Sequence, residues 1–217
     1  MQRHQIKRET DLQIISGWIR PGQQVLDIGC GRGILLEHLM RSLAVHALGV
    51  DTDLSKVQSC VKRGVPVYHG EAETLLAEFP DQAFDWIILS RTIQELGDPG
   101  NLLRQALRAA RNVAVGFVNQ GYWLNRWSTL RTGSRPTNDV FPLTWDQGKP
   151  YNPVTVAGFD QFTREHRIPV ADAVFLKGDW RRRTRLLPNL LAGYAIYHLR
   201  SGNPAPVRDV SRPDQTR

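Results

Sequence analysis

The sequence predicts an α/β fold, a mostly parallel sheet with helices on both faces, and three observations carry that expectation. The run Val25-Leu26-Asp27-Ile28 closes on Gly29-Cys30-Gly31-Arg32-Gly33 and passes into Ile34-Leu35-Leu36-Glu37-His38-Leu39-Met40, which reads as strand, tight loop and helix. Strand-sized apolar runs and helix-periodic segments then alternate through residue 118, the pattern of a parallel sheet covered on both sides. Right-handed crossovers put the strand C-termini on one edge, where Gly29, Asp51, Glu71 and Ser90 all fall.

Taken in order, the pattern gives a helix over 11–19, a strand over 25–28, a helix over 34–42, a strand over 46–50 and a helix over 54–63. A strand over 65–68, a short helix near 74–78, a strand over 84–89, a helix over 100–109 and a strand over 112–118 follow. The alternation then breaks. Residues 119–152, rich in aromatic, Gly and Pro residues, form an insertion long enough to serve as a lid, a substrate wall or a partner surface, with Tyr122, Trp123, Trp127, Phe141 and Trp145 as contact candidates. Packing of those aromatics against the sheet is the alternative. A helix around 159–162 and strands over 170–176 and 192–199 complete a single domain spanning 1–202. Residues 203–217, with Pro204, Pro206 and Pro213 among charges, read as a disordered tail.

The glycine spacing selects the ligand. A dinucleotide fingerprint is G-x-G-x-x-G, opened for a pyrophosphate; here the spacing is G-x-G-x-G, with the Asp27 carboxylate two positions before the first glycine. That carboxylate repels an anion and suits the ammonium and sulfonium of S-adenosylmethionine. The glycines also bring backbone N–H groups toward a ligand at the helix N-terminus. In Val45-His46-Ala47-Leu48-Gly49-Val50-Asp51 the closing acid is placed to accept ribose hydroxyls, while Asp53 and Ser55 suit a helix cap. After the third strand, Glu71 stands where an adenine amino group would be met, or is a solvated acid at a strand end. The fourth strand, Phe84 to Ser90, makes Ser90 to Gln94 candidates to face cofactor or acceptor. The candidate cofactor site is therefore Asp27, Ile28, Gly29, Cys30, Gly31, Asp51, Thr52, Glu71, Ala72 and Ser90.

Composition narrows the class. With 217 residues, 41% of them hydrophobic, the chain can bury one full core. Cys30 and Cys60 offer neither a disulfide framework nor zinc spacing, so no metal is expected and a reducing, cytoplasmic setting is. No run approaches the roughly 20 apolar residues of a membrane span. The net charge of +7 is concentrated in part at Arg181-Arg182-Arg183-Thr184-Arg185, read as a solvated run because no nucleic-acid-reading motif accompanies it.

Two later segments add a family resemblance. Asp27-x-Gly29-Cys30-Gly31, Gly49-Val50-Asp51, Phe79-Pro80-Asp81-Gln82-x-Phe84-Asp85 and Ile88-Leu89-Ser90-x-Thr92 are followed by Asn119-x-Gly121-x-Trp123 and Leu187-Pro188-Asn189-Leu190-Leu191-Ala192. Over about residues 10–200 this order resembles the methionine biosynthesis protein MetW family, the last two segments being its specific part. The first four are shared by class I S-adenosylmethionine-dependent methyltransferases generally. The resemblance implies a Rossmann-like class I methyltransferase fold with a seven-stranded sheet, a role in methionine biosynthesis, and a homoserine O-acyltransferase of the MetX type as partner. The chain departs from the family pattern at Arg32, where an acid is expected, at Glu71, where Asp is, and at Tyr122 and Val154, where His is. No catalytic residue is assigned.

Two functions follow as expectations. One is an S-adenosylmethionine- or S-adenosylhomocysteine-binding protein that acts with or activates the acyltransferase; the other is an active small-molecule methyltransferase, for which alignment of donor and acceptor supplies much of the acceleration. A dehydrogenase is disfavoured by the glycine spacing. A nucleic-acid methyltransferase is disfavoured by Ser90-Arg91-Thr92-Ile93 after the fourth strand.

Overall fold

A computed structural model describes residues 10, 13–134 and 151–202. Phe141, Trp145 and the 203–217 tail lie outside the described residues. Among the described residues seven strands, β1 (Gln24–Ile28), β2 (His46–Asp51), β3 (Val67–His69), β4 (Phe84–Ser90), β5 (Ala110–Val118), β6 (Val170–Leu176) and β7 (Tyr194–Arg200), form one sheet in the order β3-β2-β1-β4-β5-β7-β6. The pairs from β3 through β5 are parallel, and β7 runs antiparallel between β5 and β6.

Side-chain alternation splits the core in two. Leu26 and Ile28 of β1, with Ile87 and Leu89 of β4, pack on one face beneath the helices Ala72–Ala77, Pro99–Ala109 and Val156–Glu165. Val25, Trp86 and Ile88 face the other way, against the helices Ile34–Leu43 and Leu54–Lys62 and residues Ile14, Ile15 and Ile19. Both faces are covered, which is why β1 and β4 are nearly continuous apolar runs.

Helix starts obey local chemistry. The Asp53 carboxylate accepts from Ser55 N at 2.9 Å, Asp98 accepts from Asn101 N at 2.9 Å ahead of Pro99, and Thr155 accepts from Gly158 N at 3.0 Å. Boundaries moved where a backbone group was missing or engaged elsewhere. The third strand begins at Val67 rather than 65 because Pro66 has no N–H and Val65 N bonds Cys60 O. The last begins at Tyr194 because Ala192 and Gly193 are held by Asn119, through Nδ2 to Ala192 O and N to Gly193 O. Within the 119–152 insertion the structure has a helix, Trp123–Thr132, that the sequence pattern did not identify.

Candidate functional site

The C-terminal ends of β1, β2 and β4 open into a cavity of about 720 Å³, within the roughly 300–1,000 Å³ typical of small-ligand sites. All ten sequence-derived candidates line it: Asp27, Ile28, Gly29, Cys30, Gly31, Asp51, Thr52, Glu71, Ala72 and Ser90. The structure adds Arg32, Lys56, Glu73 and Glu95 to the lining, and Arg91 and Thr92 of the expected stretch reach it with Ser90. Of the predicted stretch Ser90 to Gln94, the end does not reach the cavity. Ile93 is core, and Gln94 is wholly buried, taking Val118 N on its Oε1 at 2.8 Å and donating to Val118 O at 3.1 Å.

The loop geometry is built from its glycines and from Asp51. Gly29 has φ +69°, and a Cβ there would stand 2.4 Å from Thr92 Oγ1, so only glycine fits. Thr92 in turn donates to Ile28 O at 2.9 Å and pins the strand end. The expected display of backbone N–H groups to the ligand is largely absent: Gly29 N and Cys30 N donate to Val50 O, Gly33 N to Cys30 O, and Gly31 N to Asp51 Oδ2 at 2.9 Å. Of those residues, Gly29, Cys30 and Gly31 tie the loop to β2. The four donors Gly29, Cys30, Gly31 and Gly33 N are therefore spent within the protein and not on a ligand.

What the cavity presents instead is carboxylate. Asp27 is 4% exposed and its pKa is pushed up to about 8, chiefly by burial, next by the negative charge of Asp51, with Arg91 opposing. A cation set against this pair favours the ionised form of Asp27 and draws its proton off. Asp51 holds Gly31 N on one oxygen and Asp53 N on the other at 3.0 Å, with Lys56 Nζ 3.7 Å away. Each oxygen retains a second lone pair for a hydroxyl. Asp51 thus has two jobs, loop anchor and open acceptor, of which the sequence showed only the second.

The remaining candidates differ in character. Glu71 is exposed at the N-terminus of the Ala72–Ala77 helix with no side-chain cap bond, and Ala72 is buried beside it. Ser90 Oγ lies 3.4 Å from the Tyr194 hydroxyl. The thiols of Cys30 and Cys60 are 3.9 Å apart, and burial pushes both pKa values up. Cys30 is packing beneath Gly49, and its raised pKa leaves it without thiolate character.

The two later motifs meet one another, away from the cavity. The Asn119 side chain donates to Asn189 O at 3.0 Å and Ala192 O at 2.7 Å, and its Oδ1 accepts from Gly121 N at 2.9 Å and Val156 N at 3.1 Å. A Cβ on Gly121 would stand 2.5 Å from Asn189 Oδ1. Asn-x-Gly and Leu-Pro-Asn-Leu-Leu-Ala are thus two halves of one structural clasp.

Strand order and the acid-and-glycine edge define the class, the Rossmann-like class I S-adenosylmethionine-dependent methyltransferase fold. A methyltransferase of Thermotoga maritima superposes with a TM-score of 0.65 at 18% identity, covering 92% of this chain and 91% of its own. Magnesium protoporphyrin IX methyltransferase from Synechocystis PCC 6803, solved with bound S-adenosylhomocysteine, gives 0.64 at 15% identity, with 92% and 86% covered. Within that fold, the model of the methionine biosynthesis protein MetW matches residues 9–199, and the chain belongs to this family. The bifunctional methionine biosynthesis protein MetXA/MetW of Rhodopirellula baltica is 26% identical over 202 residues, 88% of this chain. The chain spans about a third, 32%, of that fused relative. Among the described residues no helix is long and apolar enough to cross a membrane.

Proposed function

We infer that the cavity binds S-adenosylmethionine or S-adenosylhomocysteine and that the chain acts in methionine biosynthesis beside a homoserine O-acyltransferase of the MetX type. The observation that carries the cofactor reading is the buried Asp27 facing Asp51 across a loop whose Gly29, Cys30, Gly31 and Gly33 N–H groups are already engaged. A ligand with a cationic amino-acid end and a ribose fits these groups, whereas a pyrophosphate meets carboxylates and no free donors on the loop's first turn. Asp27 takes the ammonium end, Asp51 the ribose hydroxyls and Glu71 the adenine side, with Ile28, Gly29, Cys30, Gly31, Thr52, Ala72 and Ser90 shaping the walls. When bound, S-adenosylmethionine supplies a methyl group on an electrophilic sulfonium.

The partner reading rests on the family and on the fused relative, whose name joins MetXA and MetW in one chain. Fusion makes an encounter intramolecular and raises the effective concentration of one module for the other. The test adds this chain to the separately expressed acyltransferase with methyl-labelled S-adenosylmethionine present. Acylation rate or thermal stability of the acyltransferase changes while no label reaches homoserine, its acyl ester or the partner. Labelling of a small molecule at ordinary turnover, with the acyltransferase unaffected, selects the methyltransferase reading instead.

A further inference from the structure

The Trp123–Thr132 helix is turned inside out. Helices on a domain surface bury their apolar stripe, yet here no residue of the helix is buried, and Trp123, Trp127 and Leu130, one stripe at helical spacing, are 46%, 54% and 78% exposed. Its polar side makes the attachment: Asn125 Nδ2 donates to Asn119 O at 3.1 Å and Arg126 Nε to Gly121 O at 2.7 Å. Leu187 and Leu190, on the segment clasped by Asn119, are exposed as well. Between the helix start and the Lys177–Arg182 turn runs a groove of about 380 Å³, with Leu191 and Tyr122 in its lining. Seven of the eleven large apolar side chains exposed among the described residues belong to these two segments.

We propose that this face docks a protein partner that presents an apolar patch within an acidic rim, and that the face is the acyltransferase contact; the second clause rests on the partner reading above. Charge selects the occupant. Residues 121–134 and 177–191 carry Arg126, Arg131, Lys177, Arg181, Arg182, Arg183 and Arg185 against the single acid Asp179, which is engaged by Arg182 Nε at 2.9 Å. A second copy would set these arginines against one another, so the face does not suit self-pairing; an acidic surface satisfies them. Tryptophan and arginine together are also the residues that dominate interface energetics. The clasp gives independent support: Asn119, Gly121 and the Asn189–Ala192 segment hold this platform together and do not line the ligand cavity.

The test measures binding of the full chain to the homoserine O-acyltransferase of the same organism by surface plasmon resonance. Trp127→Glu and Leu130→Glu weaken the complex at least about 30-fold, the scale of buried interface anchors, whereas Val61→Glu, an exposed apolar side chain on another helix, leaves it unchanged. Arg181→Glu with Arg183→Glu lowers the on-rate and flattens its salt dependence. Affinity for S-adenosylhomocysteine stays constant in all of them, which shows that they fold. Unaltered binding by Trp127→Glu and Leu130→Glu overturns the docking face and leaves the partnership standing. Absence of binding by the wild-type chain overturns the partnership and the docking assignment with it. A wild-type dimer in sedimentation that Trp127→Glu dissociates shows a second copy to be the occupant and overturns the inference.

Discussion

Protonation of Asp27 makes ligand affinity depend on pH in a direction the structure fixes. The carboxyl is held near 8 by burial and by Asp51, so the free protein carries its proton throughout the physiological range below that value. An ammonium placed against it favours the ionised form, and the proton leaves on binding. By linkage, the association constant for S-adenosylhomocysteine falls as pH falls, about tenfold below its plateau at pH 7 and about a hundredfold at pH 6. The ligand's own amino group, with an ordinary pKa of about 8, stays protonated across that window, so the slope belongs to the protein. Calorimetry between pH 6 and 7 in two buffers of different ionisation enthalpy measures both the affinity and the released proton. Asp27→Asn binds weakly with no slope. A wild-type affinity that is flat across this window, or Asn binding as well as Asp, refutes the reasoning.

Four further outcomes follow from the same geometry. Because the folded pKa of Asp27 lies above its unfolded value, the unfolded chain binds fewer protons between about pH 4 and 8; this group's contribution is intact at low pH and lost as pH rises toward 8, so Asp27→Asn melts higher than wild type at pH 8 and the gap narrows steadily toward about pH 4. Asp51→Ala removes the acceptor of Gly31 N and weakens S-adenosylhomocysteine binding by about 1–3 kcal/mol, roughly 5- to 150-fold, measured by calorimetry. Asn119→Ala leaves buried backbone groups of three segments unpaired and costs at least about 2 kcal/mol in urea unfolding. Truncation after Gly202 leaves both melting temperature and ligand affinity unchanged, because the removed segment has no apolar periodicity.

The strand ends were legible in the sequence because each marks itself. A buried run must stop at a residue that tolerates the sheet edge, and Asp27, Gly29, Asp51 and Ser90 are such residues at the ends of β1, β2 and β4. Lys56 and Glu95 were not, since nothing in their spacing distinguishes a cavity wall from a solvated charge; Arg91, inside the stretch expected to face the site, arrives there through a positive φ that its residue type does not advertise. Gln94 was misjudged for the opposite reason. A polar side chain after a strand reads as site-facing, yet its amide is spent inside the core on both backbone groups of Val118. The Trp123–Thr132 helix escaped because its composition was read as an irregular insertion, and an apolar stripe that faces outward has no matching partner to find.

The most direct test titrates the chain separately with S-adenosylhomocysteine and with NAD by isothermal calorimetry. Carboxylates facing a loop whose first N–H groups are engaged predict one-to-one binding of S-adenosylhomocysteine, lost in Gly29→Val, and no heat with NAD. Binding of NAD with no response to S-adenosylhomocysteine contradicts the account.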